Sequence, residues 1–198
     1  IDWQGINFDG QHVIRPRTVG TPLLECADGP GWANPQTGKF DDQRITGLDG
    51  NRYGPLPREW CKFLGLYKHA EKSVYSYQIG EVKVLETHAL GSSLSFVRHL
   101  RIGKSSKPLA FRTPGQKILL NQPLNYKKQG ASEYIVSVEP ENTPLDLVII
   151  ADPKDGEDLP QPVKFEDLTQ GGPTQWKESI LTQVVRGNQP GAFQTDEY

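Results

Sequence analysis

From Ser73 onward, apolar and polar residues alternate with a period of two, through SVYSYQIG, EVKVLETHAL and LSFVRHLRIG. Successive side chains of a strand point to opposite faces, so this alternation predicts three consecutive strands, each with one buried and one wet face. The breaks between them carry turn chemistry: Gly80-Glu81, then Gly91-Ser92-Ser93, then Gly103-Lys104-Ser105-Ser106. Connections this short make neighbouring strands antiparallel. Four further runs, PLAFRT (108–113), QKILLN (116–121), EYIVSVEP (133–140) and LDLVIIAD (145–152), are bounded by Pro, Gly or Asn and are also expected as strands. Within the last of them LVIIA loses the alternation, which predicts burial on both faces.

The first 70 residues read differently. Short apolar pieces (INF, HVI, PLLE) are broken by Gly and Pro clusters at 28–38 and 47–57, the pattern of hairpins joined by long ordered loops. One short helix is expected over PREWCKFLGLY (57–67), where Pro57 suits a first turn and Trp60, Phe63 and Leu64 recur at helical spacing. A second, TQWKESILTQVVRG (174–187), reads as a helical turn leading into a strand before Gly187. The segment 152–168 is acidic and Pro-rich and reads as a surface loop or a boundary. The fold class is therefore all-β, a mainly antiparallel sandwich-like unit over 1–151 with long ordered loops and one or two short helices, followed by a linker and tail over 152–198.

Composition narrows the function classes. Twenty Gly and 16 Pro in 198 residues favour many turns and short strands. A formal net charge of -2, with 22 basic residues spread along the chain, lacks the electrostatic footprint of a nucleic-acid partner. No run approaches the roughly 18 apolar residues of a membrane-spanning helix. The chain opens on Ile1 and contains no Met, so the expectation is that it is not the start of a primary translation product. Cys26 and Cys61 are too widely spaced for a CxxC metal or redox site, and no CxxCH for covalent haem occurs. They stand open to two readings, a disulfide in an oxidising compartment or two buried free thiols.

Candidate chemistry is sparse. His12, His69, His88 and His99 match no HxH, HExxH or HxxxH spacing, although His88 and His99 fall on neighbouring strands where they could meet. No GxSxG, strand-linked GxGxxG or P-loop is present. Asp41, Asp42, Asp49 and Glu86 are the acidic candidates for a hydrolytic pair or a calcium loop, but Asp49-Gly50-Asn51 reads first as a turn. No catalytic and no metal set is assigned. The loop-rich half instead interleaves rings with glycine and polar residues: Trp3, Phe8, Trp32, Phe40, Tyr53, Trp60 and Tyr67. Flat rings on ordered loops suit stacking on a sugar face, or they fill the core beneath the loops, the reading weighted higher for Trp32 and Trp60.

Three strings carry a family resemblance: GTPLLECADGPGWANPQTGKFDDQR (20–44), YGPLPREWCKFLGLYKHAEKSVYSYQIGEVKVLET (53–87) and FVRHLRIGKSSKPL (96–109). Their order and wording resemble the uncharacterised domain that stands ahead of a β-propeller in large PVC-type haem-binding CxxCH proteins. The resemblance is close over about the first 110 residues and loose beyond. It implies an exported, multidomain parent, periplasmic or extracellular, with a propeller and a c-type cytochrome module as partners. Haem c would then sit outside this chain, which has no haem motif and needs no cofactor of its own.

Three functions are weighed on this footing. The leading one is a non-catalytic module that binds or presents carbohydrate, through Trp3, Trp32, Tyr53, Trp60 and Tyr67 with Asp41 and Asp42 as hydrogen-bond acceptors. Exposed rings would favour it. The second is a structural or docking element, which an exposed apolar patch would favour. The third is part of a sugar dehydrogenase or a polysaccharide-processing enzyme, which a buried carboxylate pair near His69 or His88 in a concave pocket would favour.

Overall fold

The computed structural model of the chain describes residues 19–21, 24–91 and 95–170, together with the backbone of the two-residue strands at 6–7, 17–18, 185–186 and 193–194. In chain order the strands are β1 (Ile6–Asn7), β2 (Arg17–Thr18), β3 (Ile45–Thr46), β4 (Arg52–Tyr53), β5 (Cys61–His69), β6 (Lys72–Ile79), β7 (Val82–Leu90) and β8 (Phe96–Ile102). They continue as β9 (Leu109–Pro114), β10 (Ile118–Leu120), β11 (Asn125–Gln129), β12 (Glu133–Val138) and β13 (Leu145–Ala151), then α1 (Phe165–Thr169), β14 (Val185–Arg186) and β15 (Phe193–Gln194). Six strands form one sheet in the order β10-β13-β8-β7-β6-β5, and three form a second in the order β11-β12-β9. Every pairing among them is antiparallel.

The alternation in the sequence sets which side chains the two sheets present to each other. Ile79, Val82, Val84, Leu100, Ile102, Leu147 and Ile149 of the large sheet pack against Leu109, Phe111, Val136 and Val138 of the small one. Each such side chain taken fully out of water contributes about 1.5–3 kcal/mol. Trp32 joins the same core, because residues 31–33 run alongside β9: Trp32 pairs with Phe111, and Ala33 N–H donates to Ala110 O at 2.8 Å. The GPGWA string thus forms a short extra edge of the small sheet.

The unalternating run in β13 is buried on both faces, as expected. Leu147 and Ile149 face the sandwich core, while Val148 and Ile150 point the other way and meet Val97 and Leu159. Leu159 comes from the acidic, Pro-rich segment. Residues 152–164 therefore run over the outer face of the large sheet, and α1 packs against β5 and β6. Phe165 is buried beneath the Arg101 guanidinium, 5.9 Å from its ring centroid, and Arg101 also binds Asp146 and Glu166. A five-residue helix has too few internal bonds to stand alone, so these contacts are what hold α1.

The helix expected over 57–67 is not formed. The amides of Trp60 and Cys61 both bond to Pro57 O, at 2.9 and 3.0 Å, giving a single turn, and the chain then enters β5. Pairing with β6 along β5 supplies a ladder that the isolated helical spacing cannot match, and of the three spaced apolar residues only Trp60 is buried. The ladder slips between Phe63 and Gly65, where Gly65 takes φ +153, a conformation open to glycine. The helical part of the 174–187 expectation lies outside the described residues, and β14 precedes Gly187. The one helix described, α1, arises in the segment read as a loop.

Candidate functional site

The most polar part of the interior is built from three adjacent strands. Tyr77 on β6, Glu86 on β7 and Arg98 on β8 point into the sandwich, and His88 on β7 lies on the same side but is exposed at its margin, by the register Tyr75 to Glu86, Tyr77 to Val84 and His88 to Arg98. Arg98 Nε donates to Glu86 Oε1 at 2.5 Å and its Nη2 to Oε2 at 3.2 Å, while Nη1 reaches Arg112 O at 3.1 Å. The Tyr77 hydroxyl donates to Glu86 Oε2, and Trp32 Nε1–H donates to the Tyr77 oxygen at 3.1 Å. His88 Nε2 lies 2.9 Å from Glu86 Oε1.

Burial by itself pushes the Glu86 carboxyl up, but the Arg98 charge and the bonds from His88, Arg98 and Tyr77 outweigh it and hold the group well below the usual carboxylate range. Burial and the Glu86 charge push the Tyr77 phenol up. Glu86 is thus a fixed anion whose lone pairs are all in use. The group works as a polar joint that ties the Trp32 segment, β6, β7, β8 and β9 together. Glu86, His88 and Trp32 stood out in the sequence as separate candidates, while Tyr77 and Arg98 did not, since the joint depends on cross-strand register.

Among the described residues, the expected ligand residues form no common site. Trp32 (7% exposed) and Trp60 (1%) are core residues in contact, with Trp60 Nε1–H donating to Trp32 O at 3.2 Å. Both rings fill the core beneath the loops and present no free face to solvent. Trp3 lies outside the described residues. Tyr53 is part-exposed on β4 and donates its hydroxyl to Asp49, whose carboxyl is held at about 2 by bonds from Tyr53 and Asn51. Asp49 caps the Gly47–Asn51 turn, as read from Asp-Gly. Tyr67 is half-buried on the outer face of β5, Asp41 is exposed, and Asp42 is taken up by Arg44 at 2.7 Å, which holds its carboxyl at about 2.

His88 and His99 do not meet, because alternation sends His88 to the sandwich side and His99 to the outer face, where burial pushes its pKa down. Cys26 is exposed, Cys61 is half-buried, and both thiols are free. Among the described residues no group of three or more His, Cys, Asp or Glu side chains could hold a metal ion. No described helix is long and apolar enough to cross a membrane.

Three surface features stand out. A cleft of about 560 Å³ opens at the β6–β7 turn, and a smaller one of about 160 Å³ lies between residues 33–38 and the start of β9. On the sandwich-facing side of β5, β6 and the end of β7, away from that turn, large apolar side chains are exposed. Phe63 (65% exposed), Leu66 (53%), Tyr75 (42%) and Leu90 (69%) stand uncovered there, beside a His88 ring stacked 5.1 Å from Phe96.

Fold and core together define an all-β, sandwich-like module. A family model described as a domain of unknown function (DUF6797) matches residues 1–86. The matched segment ends within β7, so β8 to β13 lie beyond it. No curated protein and no solved structure matches the chain.

Proposed function

We propose that the chain is a non-catalytic β-sandwich module of a larger exported protein, and that it docks on a neighbouring domain of the same polypeptide through the inner face of β5, β6 and the end of β7. The observation that carries this reading is the uncovered row Phe63, Leu66, Tyr75 and Leu90. Contiguous apolar side chains on a sheet face cost solubility unless something packs on them. Edge pairing is a poor use of β5, since Lys62 and Lys68 and the slip at Phe63–Gly65 blunt the edge, which leaves the side-chain face. Lys68, opposite Ser73, stands on the same face next to Leu66, so its occupant has an apolar centre with an acidic group beside it. Phe63, Leu66 and Tyr75 fall within the segment that the family model matches, and the resemblance names a β-propeller as the neighbour. Haem c and oxidation chemistry belong, in this reading, to other modules.

Hydrogen exchange of residues 61–79 tests the reading, compared between the isolated chain and the longer polypeptide that includes its neighbour. Slower exchange in the longer protein, lost on Leu66→Glu and Tyr75→Glu, is the expected result. Equal exchange in both, or a dimer of the isolated chain formed through this face, overturns it.

A further inference from the structure

The cleft at the β6–β7 turn is lined by residues that the docking face leaves untouched, since Val82 opens β7 and Leu90 closes it. Its volume of about 560 Å³ falls within the range of about 300–1,000 Å³ typical of small-molecule sites. Ile79, Val82, Leu109 and Pro35 form an apolar floor, and the first three are buried. Gly80 at φ +57 makes the turn, and a Cβ there would stand 3.2 Å from Pro35 Cγ, so floor and turn are in close contact.

The rim carries Gln36, Glu59, Glu81, Lys104, Ser106 and Lys107. None of these two carboxylates and two ammonium groups forms an ion pair among the described residues. Their charges cancel, so the rim draws in no net anion or cation. It offers hydrogen-bond donors and acceptors side by side, which is what a hydroxyl group needs, because each hydroxyl both donates and accepts.

The walls are set before any ligand arrives. Ser105 exchanges backbone bonds with Glu141 at 3.0 Å, and its Oγ donates to Lys107 O at 2.6 Å, fixing the connection that carries Lys104, Ser106 and Lys107. Gly80 N–H donates to Trp60 O at 2.9 Å, holding the Glu59 segment beside the turn. Asn34 Oδ1 accepts from Gln36 N–H at 2.9 Å and steadies the third wall. Preorganised walls lower the ordering cost of binding.

We infer that this cleft binds a neutral polyhydroxylated ring, one or two sugar residues in size, with its C–H face on the Val82–Leu109–Pro35 floor and its hydroxyls on the charged and hydroxyl rim. The inference is independent of the docking face. The test is NMR titration of the isolated chain with glucose and cellobiose, with inorganic phosphate and glycine as ionic probes. Saturable shifts of the Gly80, Glu81 and Ser106 amides with a sugar are expected. Glu59→Ala and Lys107→Ala, both at exposed positions, should weaken binding at least about tenfold while leaving the melting temperature unchanged. Unshifted amides with both sugars, or shifts with phosphate or glycine alone, overturn the inference.

Discussion

Glu86 and Arg98 sit diagonally across β7 and β8, where the guanidinium meets the carboxylate through two bonds inside a protein interior. Removing one member strands the other without a partner, so Arg98→Met is expected to cost about 3–5 kcal/mol in urea unfolding. Glu86→Leu together with Arg98→Met should recover much of that, because two apolar side chains leave no orphaned charge. The pair also sets an acid limb. Glu86's native pKa lies below its ordinary 4.5 and Asp42's falls from 3.8 to about 2, so the unfolded chain binds protons more readily than the folded one. Their stabilisation is complete above about pH 4.5 and is lost as pH falls through the native values. Glu86→Gln should flatten this limb, read as melting temperature against pH. In the sequence Glu86 was one acidic residue among 24. Its partners became visible only once register placed Arg98, Tyr77 and His88 around it.

At the scale of elements, the alternating strands were legible and the exceptions have causes. β5 was read as a helix because Trp60, Phe63 and Leu64 fall at helical spacing, yet the apolar residues of an edge strand lie partly in the open, which spoils the period of two. β11, with the polar sequence NYKKQ exposed throughout, carries no apolar signal and exists because β12 offers it a ladder. Segment 152–169 has loop composition, yet it seats Leu159 and Phe165 on the outer face of the large sheet. Phe165→Ala is therefore expected to cost about 3 kcal/mol in thermal unfolding. A chain stopped after Ala151 should bind a hydrophobic dye that the chain through Gln170 does not, because Val97, Val148 and Ile150 lose their cover.

For the molecule as a whole, the segment matched by the family model holds only part of the core. A polypeptide ending at Glu86 lacks Leu100, Ile102, Phe111, Val136, Leu147 and Ile149, and with them most of what Ile79 and Val84 pack on. It should show no cooperative thermal transition in near-ultraviolet circular dichroism, whereas residues 1–170 should. What the sequence determined alone was the all-β class, the strands from β6 to β13 with the exception of β11, the tight Gly80–Glu81 turn and the two-faced burial of LVIIA, because these follow from periodicity and local backbone preference. The tertiary structure decided which strand pairs with which, that Trp32 and Trp60 are core, that the aromatic loop residues described form no common site, and where a cleft and an apolar face are left open. These depend on contacts between residues tens of positions apart, and the period of a sequence carries no information about which distant strand will cover a face.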